Sequence, residues 1–151
     1  FGMSADAHHL TMPLANGAAK AMRQAIEDGN IAPEQVGYAN AHGTATQAND
    51  AMEAQALRLV FGNHTNKIAV SSTKSMHGHT LGAAGAIESA ATVLGLHNKI
   101  LPPTANFTEL DAECDIDVIA NEARPAEVDA AISSSFAFGG LNAVLTFRSW
   151  Q

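Results

Sequence analysis

Three short apolar runs in this chain each lead straight into a segment of hydroxyl, amide, imidazole and glycine residues, and this recurrence constrains the fold more than any other feature. Val36-Gly37-Tyr38-Ala39 runs into Asn40-Ala41-His42-Gly43-Thr44-Ala45-Thr46, and Ile68-Ala69-Val70 runs into Ser71-Ser72-Thr73-Lys74-Ser75-Met76-His77-Gly78-His79. The third run, from Ala131, carries Ser133-Ser134-Ser135 and ends in Phe136-Ala137-Phe138-Gly139-Gly140. Short apolar runs bounded by turn residues read as buried strands. In α/β folds, ligand sites gather just beyond the ends of such strands.

The stretches between the runs read as helices. Ala18, Ala19, Met22, Ala25 and Ile26 recur at helical spacing between a possible cap at Asn16 and a stop at Gly29. Met52, Ala56, Leu59 and Val60 do the same from Asp50 to Phe61, ahead of Gly62. From Thr80 to Leu96 the chain is small and apolar with Glu88 as its one charge, which predicts a buried helix. Gly82 and Gly85 would each weaken a solvated helix by about 1 kcal/mol relative to alanine, so close backbone packing is expected there. Pro102-Pro103 forces an extended connector, and the acidic segment Glu109 to Asp117 reads as a surface loop. Ala131 to Phe136 and Ala143 to Phe147 form a closing hairpin through Gly139-Gly140. Strands alternating with helices and then a hairpin give a layered α/β domain with a mixed sheet.

Length and composition narrow the function. At 151 residues and 46% hydrophobic content, the chain holds one domain, 1–151. A formal charge of −7 argues against nucleic-acid and anionic-membrane partners. No apolar run approaches the ~20 residues that cross a bilayer, and the expected location is cytoplasmic. The single cysteine, Cys114, excludes an internal disulfide and fits a reducing compartment. Phe1-Gly2-Met3 opens with no cap or turn signal, which reads as a start inside a longer polypeptide.

The motif order is specific. His42-Gly43-Thr44-x-Thr46, then Ser72-Thr73-Lys74-Ser75-Met76-x-Gly78-His79-x-x-Gly82-Ala83-Ala84-Gly85, then Phe136-x-Phe138-Gly139-Gly140-x-Asn142 resembles the β-ketoacyl synthases that use two active-site histidines. Gly2 to Thr11 and Leu101-Pro102-Pro103-Thr104-Ala105-Asn106 resemble flanking segments of the same enzymes. The resemblance implies the C-terminal half of a thiolase-like fold, a layered α-β-α arrangement around a five-stranded mixed sheet. It also implies a place in fatty-acid or polyketide synthesis. A cysteine thiolate takes an acyl group from acyl carrier protein; a malonyl thioester then loses CO2, and its enolate attacks the acyl-cysteine.

By resemblance His42 and His79 are the imidazole N–H donors that stabilise charge on the thioester oxygen. Lys74 sets the local electrostatics and pairs with Glu88. Phe138 is the gate, with its backbone N–H in an oxyanion hole, and Gly139 and Gly140 permit the turn. Thr44, Thr46 and Thr11 match the hydroxyls that bind phosphopantetheine amides. No metal or other cofactor is implied, because substrates arrive on the carrier protein's arm. The parent enzyme is expected to be a homodimer.

His77 stands where these enzymes commonly have a smaller residue such as threonine; Ala45, Ala137 and Leu141 are further departures. Thiolases fit less well because they place a cysteine in the last glycine-rich turn. Cys114 lies between Glu113 and Asp115, where carboxylates raise its thiol pKa, so the nucleophile is expected on a preceding half absent from this chain. Two other readings compete. One is a metal protein, suggested by His77-x-His79 and His8-His9, though Glu88 is the only acid near the first pair. The other is a non-catalytic partner subunit resembling chain-length factors, against which the retained His42, Lys74 and His79 argue. On the synthase reading the chain alone is inactive, and a face including Phe136, Phe138 and part of 81–96 drives self-association.

Overall fold

The computed structural model describes residues 1–150. The chain opens with a strand, β1 (Gly2–Ala5), followed by the helix α1 (Ala15–Asp28). The four residues of β1 carry no periodic signal, so this strand is legible only in three dimensions. Its backbone lies directly on α1, where a Cβ on Gly2 would stand 2.1 Å from the carbonyl oxygen of Ala21. One face of α1 buries Ala18, Ala19, Ala21, Met22, Ala25 and Ile26. A single turn at Pro33–Gln35 then directs the chain into β2 (Val36–Asn40).

The middle of the chain follows the expected alternation. α2 (Gln47–Phe61) leads to β3 (Ala69–Ser71), and a one-turn helix, α3 (Lys74–His77), separates β3 from α4 (Ala84–Asn98). Two-residue strands follow at β4 (Ile100–Leu101), β5 (Asp117–Val118) and β6 (Arg124–Pro125). The closing hairpin is β7 (Ala130–Ala137) and β8 (Leu141–Arg148), turned at Gly139 and Gly140 with φ of 78° and 75°.

The main sheet runs β1-β8-β7-β2-β3-β5, while β4 and β6 pair separately. β7, β2, β3 and β5 are mutually parallel; β8 is antiparallel to β7 and to β1. The sheet is therefore mixed, with six strands rather than the expected five. Its two edges are β1 and the two-residue strand β5. A register shift between Val36 and Tyr38 turns β2 over. Val36, Ala39, Val70 and Ile132 face α1 and α2, while Tyr38, Ala69 and Ala131 face the opposite layer with Leu96 of α4. This is the layered α-β-α arrangement.

The α4 helix corrects an expectation. It buries Ala84, Glu88, Thr92, Gly95 and Leu96 against β7, but Leu81 just ahead of it, Val93 and Leu94 are 78%, 47% and 59% exposed. A helix apolar on all sides has no side that its sequence marks as outward. The close packing expected at Gly82 and Gly85 is also missing: among the described residues a Cβ on Gly82 would meet nothing within 4 Å, and one on Gly85 only Ser135 Oγ at 3.7 Å. Phe136, expected on an outward face, is 6% exposed and belongs to the α1–α2 core. No helix among the described residues is long and apolar enough to cross a membrane.

Candidate active site

The parallel strands β2, β3 and β7 end on the same edge of the sheet, which brings the segments after them together. His42 follows β2 and Lys74 follows β3, while Phe136 lies near the end of β7. The His42 and His79 rings meet edge to face with centroids 5.5 Å apart, and the Phe136 ring packs on His42 at 5.7 Å. Phe136 is thus the aromatic in contact with the imidazole pair. Phe138, on the turn beyond it, is 77% exposed.

His42 is buried, and its Nδ1 has no hydrogen-bond partner among the described residues. Burial, then the Lys74 charge, then His79 lower its pKa from 6.5 to about 4, so the ring is neutral at physiological pH. His79 is exposed; its Nδ1 accepts the backbone N–H of Leu81 at 3.2 Å, which leaves the proton of the neutral ring on Nε2. The pair therefore offers an imidazole N–H donor beside a ring kept uncharged by its surroundings.

Lys74 and Glu88 form a buried ion pair, Nζ to Oε1 at 2.5 Å. Close by, Asn40 Nδ2 donates to Thr73 Oγ1, to the carbonyl of Glu88 and to Thr92 Oγ1, each at 3.2 Å. That amide ties the end of β2 to both the β3 loop and α4. Ser72 Oγ donates to the carbonyl of Gly43 at 2.8 Å, joining the first two motifs directly.

Glu53 is a site residue that the sequence reading missed. Its carboxylate accepts the backbone N–H groups of His42 and Gly43, both at 2.9 Å, so it holds the turn that presents His42. Burial raises its pKa from 4.5 to about 7; the two backbone N–H groups pull it down, and Asp50 pushes it up again. Its one sequence signal is the spacing Asn49, Glu53, Leu57, which puts two polar side chains on the buried stripe of α2.

Thr44 and Thr46 lie with their hydroxyls 2.9 Å apart. Both line a cavity of 680 Å³ together with Lys74, His79, Phe107 and Cys114; His42 is not among its lining residues, though its neighbours Ala41 and Gly43 are. Thr11 is not among the lining residues. It lies in the exposed loop after β1, with its N–H donating to His9 Nδ1 at 3.2 Å. That loop reaches the Gly139 turn, where the Gly139 N–H donates to the carbonyl of Leu10 at 2.9 Å. Gly140 is required in this turn, since its Cβ would stand 2.4 Å from that of Asp6.

Cys114 is buried rather than on the surface of its loop. Burial first and the carboxylates of Asp111, Asp50, Glu113 and Glu53 after it raise its thiol pKa, so it is a poor nucleophile. Among the described residues no three His, Cys, Asp or Glu side chains are grouped as metal ligands.

Residues 1–108 match the family described as "Beta-ketoacyl synthase, C-terminal domain". The chain is 50% identical over 147 residues to Nodulation protein E of Rhizobium sp. (strain N33), covering 97% of this chain and 37% of that protein. It is equally 50% identical over 147 residues to 3-oxoacyl-[acyl-carrier-protein] synthase 2 of Coxiella burnetii, covering 96% of this chain and 36% of that one. A crystal structure of a beta-ketoacyl synthase from Burkholderia phymatum STM815 superposes with a TM-score of 0.93 at 40% identity, over 99% of this chain and 36% of that one. The chain thus spans little more than a third of the length of these relatives.

Proposed function

The chain belongs to the β-ketoacyl synthase family, and from that premise we propose that residues 1–151 are the C-terminal domain of a decarboxylating Claisen-condensing enzyme. This acyltransferase joins an acyl group to a malonyl unit on acyl carrier protein, in fatty-acid or polyketide synthesis. The observation that carries the reading is the His42–His79 pair, two imidazoles at 5.5 Å with His42 held neutral. A neutral imidazole can keep an N–H on a developing oxyanion, where a charged one would be expensive to bury.

In the proposed reaction the C–C bond to the malonyl carboxylate breaks, CO2 leaves, and the electron pair moves into the thioester enolate. His42 and His79 donate hydrogen bonds to that enolate oxygen. The enolate carbon then attacks an acyl thioester carbonyl and expels a cysteine thiolate. That cysteine lies outside this chain, because Cys114 has a raised pKa. Lys74, held in place by Glu88, presents its ammonium beside the histidines, where its charge helps to lower the His42 pKa. The Phe138-Gly139-Gly140 turn forms the gate and acyl oxyanion hole, and Thr44, Thr46 and Thr11 receive the phosphopantetheine arm. This chemistry draws its charge stabilisation from imidazole and backbone N–H groups and calls on no metal or small cofactor. Acyl carrier protein is the partner, the complete enzyme is a cytoplasmic homodimer, and the site is completed by an N-terminal half.

The test incubates the chain with labelled acyl and malonyl carrier proteins, alone and with the amino-terminal half of a synthase. No product from the chain alone and turnover on complementation support the reading. Condensation by the chain alone, or acylation of Cys114, overturns it.

A further inference from the structure

The imidazole of His77 is engaged at both nitrogens by the loop that presents His79. Nδ1 lies 2.8 Å from the carbonyl oxygen of Gly78, and Nε2 lies 3.2 Å from Oγ1 of Thr73. A carbonyl can only accept, so Nδ1 carries the proton and donates it. The oxygen it binds belongs to the peptide unit between Gly78 and His79.

Among the described residues that peptide makes no other hydrogen bond; the His79 ring beyond it is met by the Leu81 N–H at Nδ1 and by His42, neither of which fixes the peptide itself. Gly78 adopts φ 78° and ψ 171°, and a Cβ there would meet nothing within 4 Å, so the residue is free of steric guidance. Its own N–H donates to the carbonyl of Lys74 at 2.8 Å, but this fixes the preceding peptide, not the one that carries His79. The other end of the His77 ring rests on a rigid base. Thr73 is 1% exposed and Asn40 0%, and Asn40 reaches on to the Glu88 carbonyl and Thr92.

We propose that His77 is a positioning residue for His79: its ring ties the Gly78–His79 peptide to the buried Thr73–Asn40 pair and so sets where the His79 imidazole stands relative to His42. The inference rests on the reading of His42 and His79 as donors to one enolate oxygen. Rotation of the unanchored peptide would swing the His79 side chain. A donor displaced by about 1 Å costs up to roughly a hundredfold in rate.

Side-chain geometry supplies the test. Asparagine places an amide nitrogen the same number of bonds from Cα as Nδ1, so it can still bind the Gly78 carbonyl. Glutamine places its nitrogen where Nε2 stands and keeps only the Thr73 link. In the complete synthase that carries this domain, His77→Ala is expected to lower kcat for malonyl decarboxylation by about tenfold to a hundredfold, with KM changed by less than about twofold. His77→Asn restores most of the loss, and His77→Gln does not. The proposal is overturned if His77→Ala keeps the wild-type kcat, or if Gln rescues as well as Asn. Should the alanine variant fail to fold, the Asn–Gln comparison decides alone. His79→Ala separates the two levels. If it retains kcat, the donor assignment fails and this inference with it; if it abolishes kcat while His77→Ala does not, only the positioning role fails.

Discussion

Nζ of Lys74 stands 2.5 Å from Oε1 of Glu88, with the two side chains 5% and 0% exposed. Among the described residues, neither Nζ nor the second carboxylate oxygen has another hydrogen-bond partner. Each charge depends on the other, and removing one leaves its partner uncompensated in a low dielectric. Glu88→Ala is therefore expected to destabilise the fold by about 3–5 kcal/mol, against a few tenths for an exposed acid such as Glu34→Ala. Urea denaturation of both variants checks this. Replacing Lys74 and Glu88 together by apolar residues of similar volume is expected to cost less than either single truncation.

Glu53 and His42 shift in opposite directions, and so act oppositely on stability. Glu53 is raised from 4.5 to about 7, so the folded state holds its proton more tightly; its contribution is full below pH 4.5 and is lost as pH rises through 7. His42 is lowered from 6.5 to about 4, so its contribution is full above pH 6.5 and is lost as pH falls through 4. In Glu53→Gln the remaining His42 dependence makes stability fall on acidification from 6.5 towards 4. In His42→Gln the remaining Glu53 dependence makes stability fall as pH rises from 4.5 towards 7. Chemical denaturation of both variants across pH 4 to 8 is the check, and parallel slopes would contradict the assignment.

Gly43 has φ 38°, and a Cβ there would stand 2.5 Å from Cβ of Ser72. Gly62 has φ 54° but open space around it. Both alanine variants bear backbone strain of about 1 kcal/mol or more, but Gly43→Ala adds a clash between the loop that carries His42 and Ser72 of the segment after β3. It is expected to be the less stable of the two by thermal melting, and to change the His42 ring resonances, which Gly62→Ala leaves in place.

The exposed apolar residues Val93 and Leu94 of α4, with Leu81 just ahead of it, predict concentration-dependent association of the chain. Leu94→Lys combined with Val93→Glu is expected to shift sedimentation towards monomer without lowering the melting temperature. Association unchanged by the pair would assign the contact elsewhere.

Local pattern and motif spacing determined a good part of this protein. Helical spacing from Ala18 to Ile26 located α1, the turn residues Gly139-Gly140 located the hairpin, and the polar segments behind Val36–Ala39 and Ile68–Val70 marked His42, Lys74 and His79. These features lie within a few residues of one another along the chain, where propensity and periodicity act directly.

Tertiary structure alone decided the rest. β1 exists because Gly2–Ala5 pairs with β8 at the far end of the chain, and no local property of four residues specifies such a partner. Glu53 looks like any helix-surface acid until packing closes water off from it, and only then do the His42 and Gly43 N–H groups become its ligands. The extent of α4's outward side is hidden in the sequence for the same reason: an apolar composition records that a surface avoids water, not which other surface covers it. His77 shows the limit most sharply. Its imidazole is visible in the sequence beside His79, but its grip on the Gly78–His79 peptide depends on Asn40 and Thr73 lying buried beneath it.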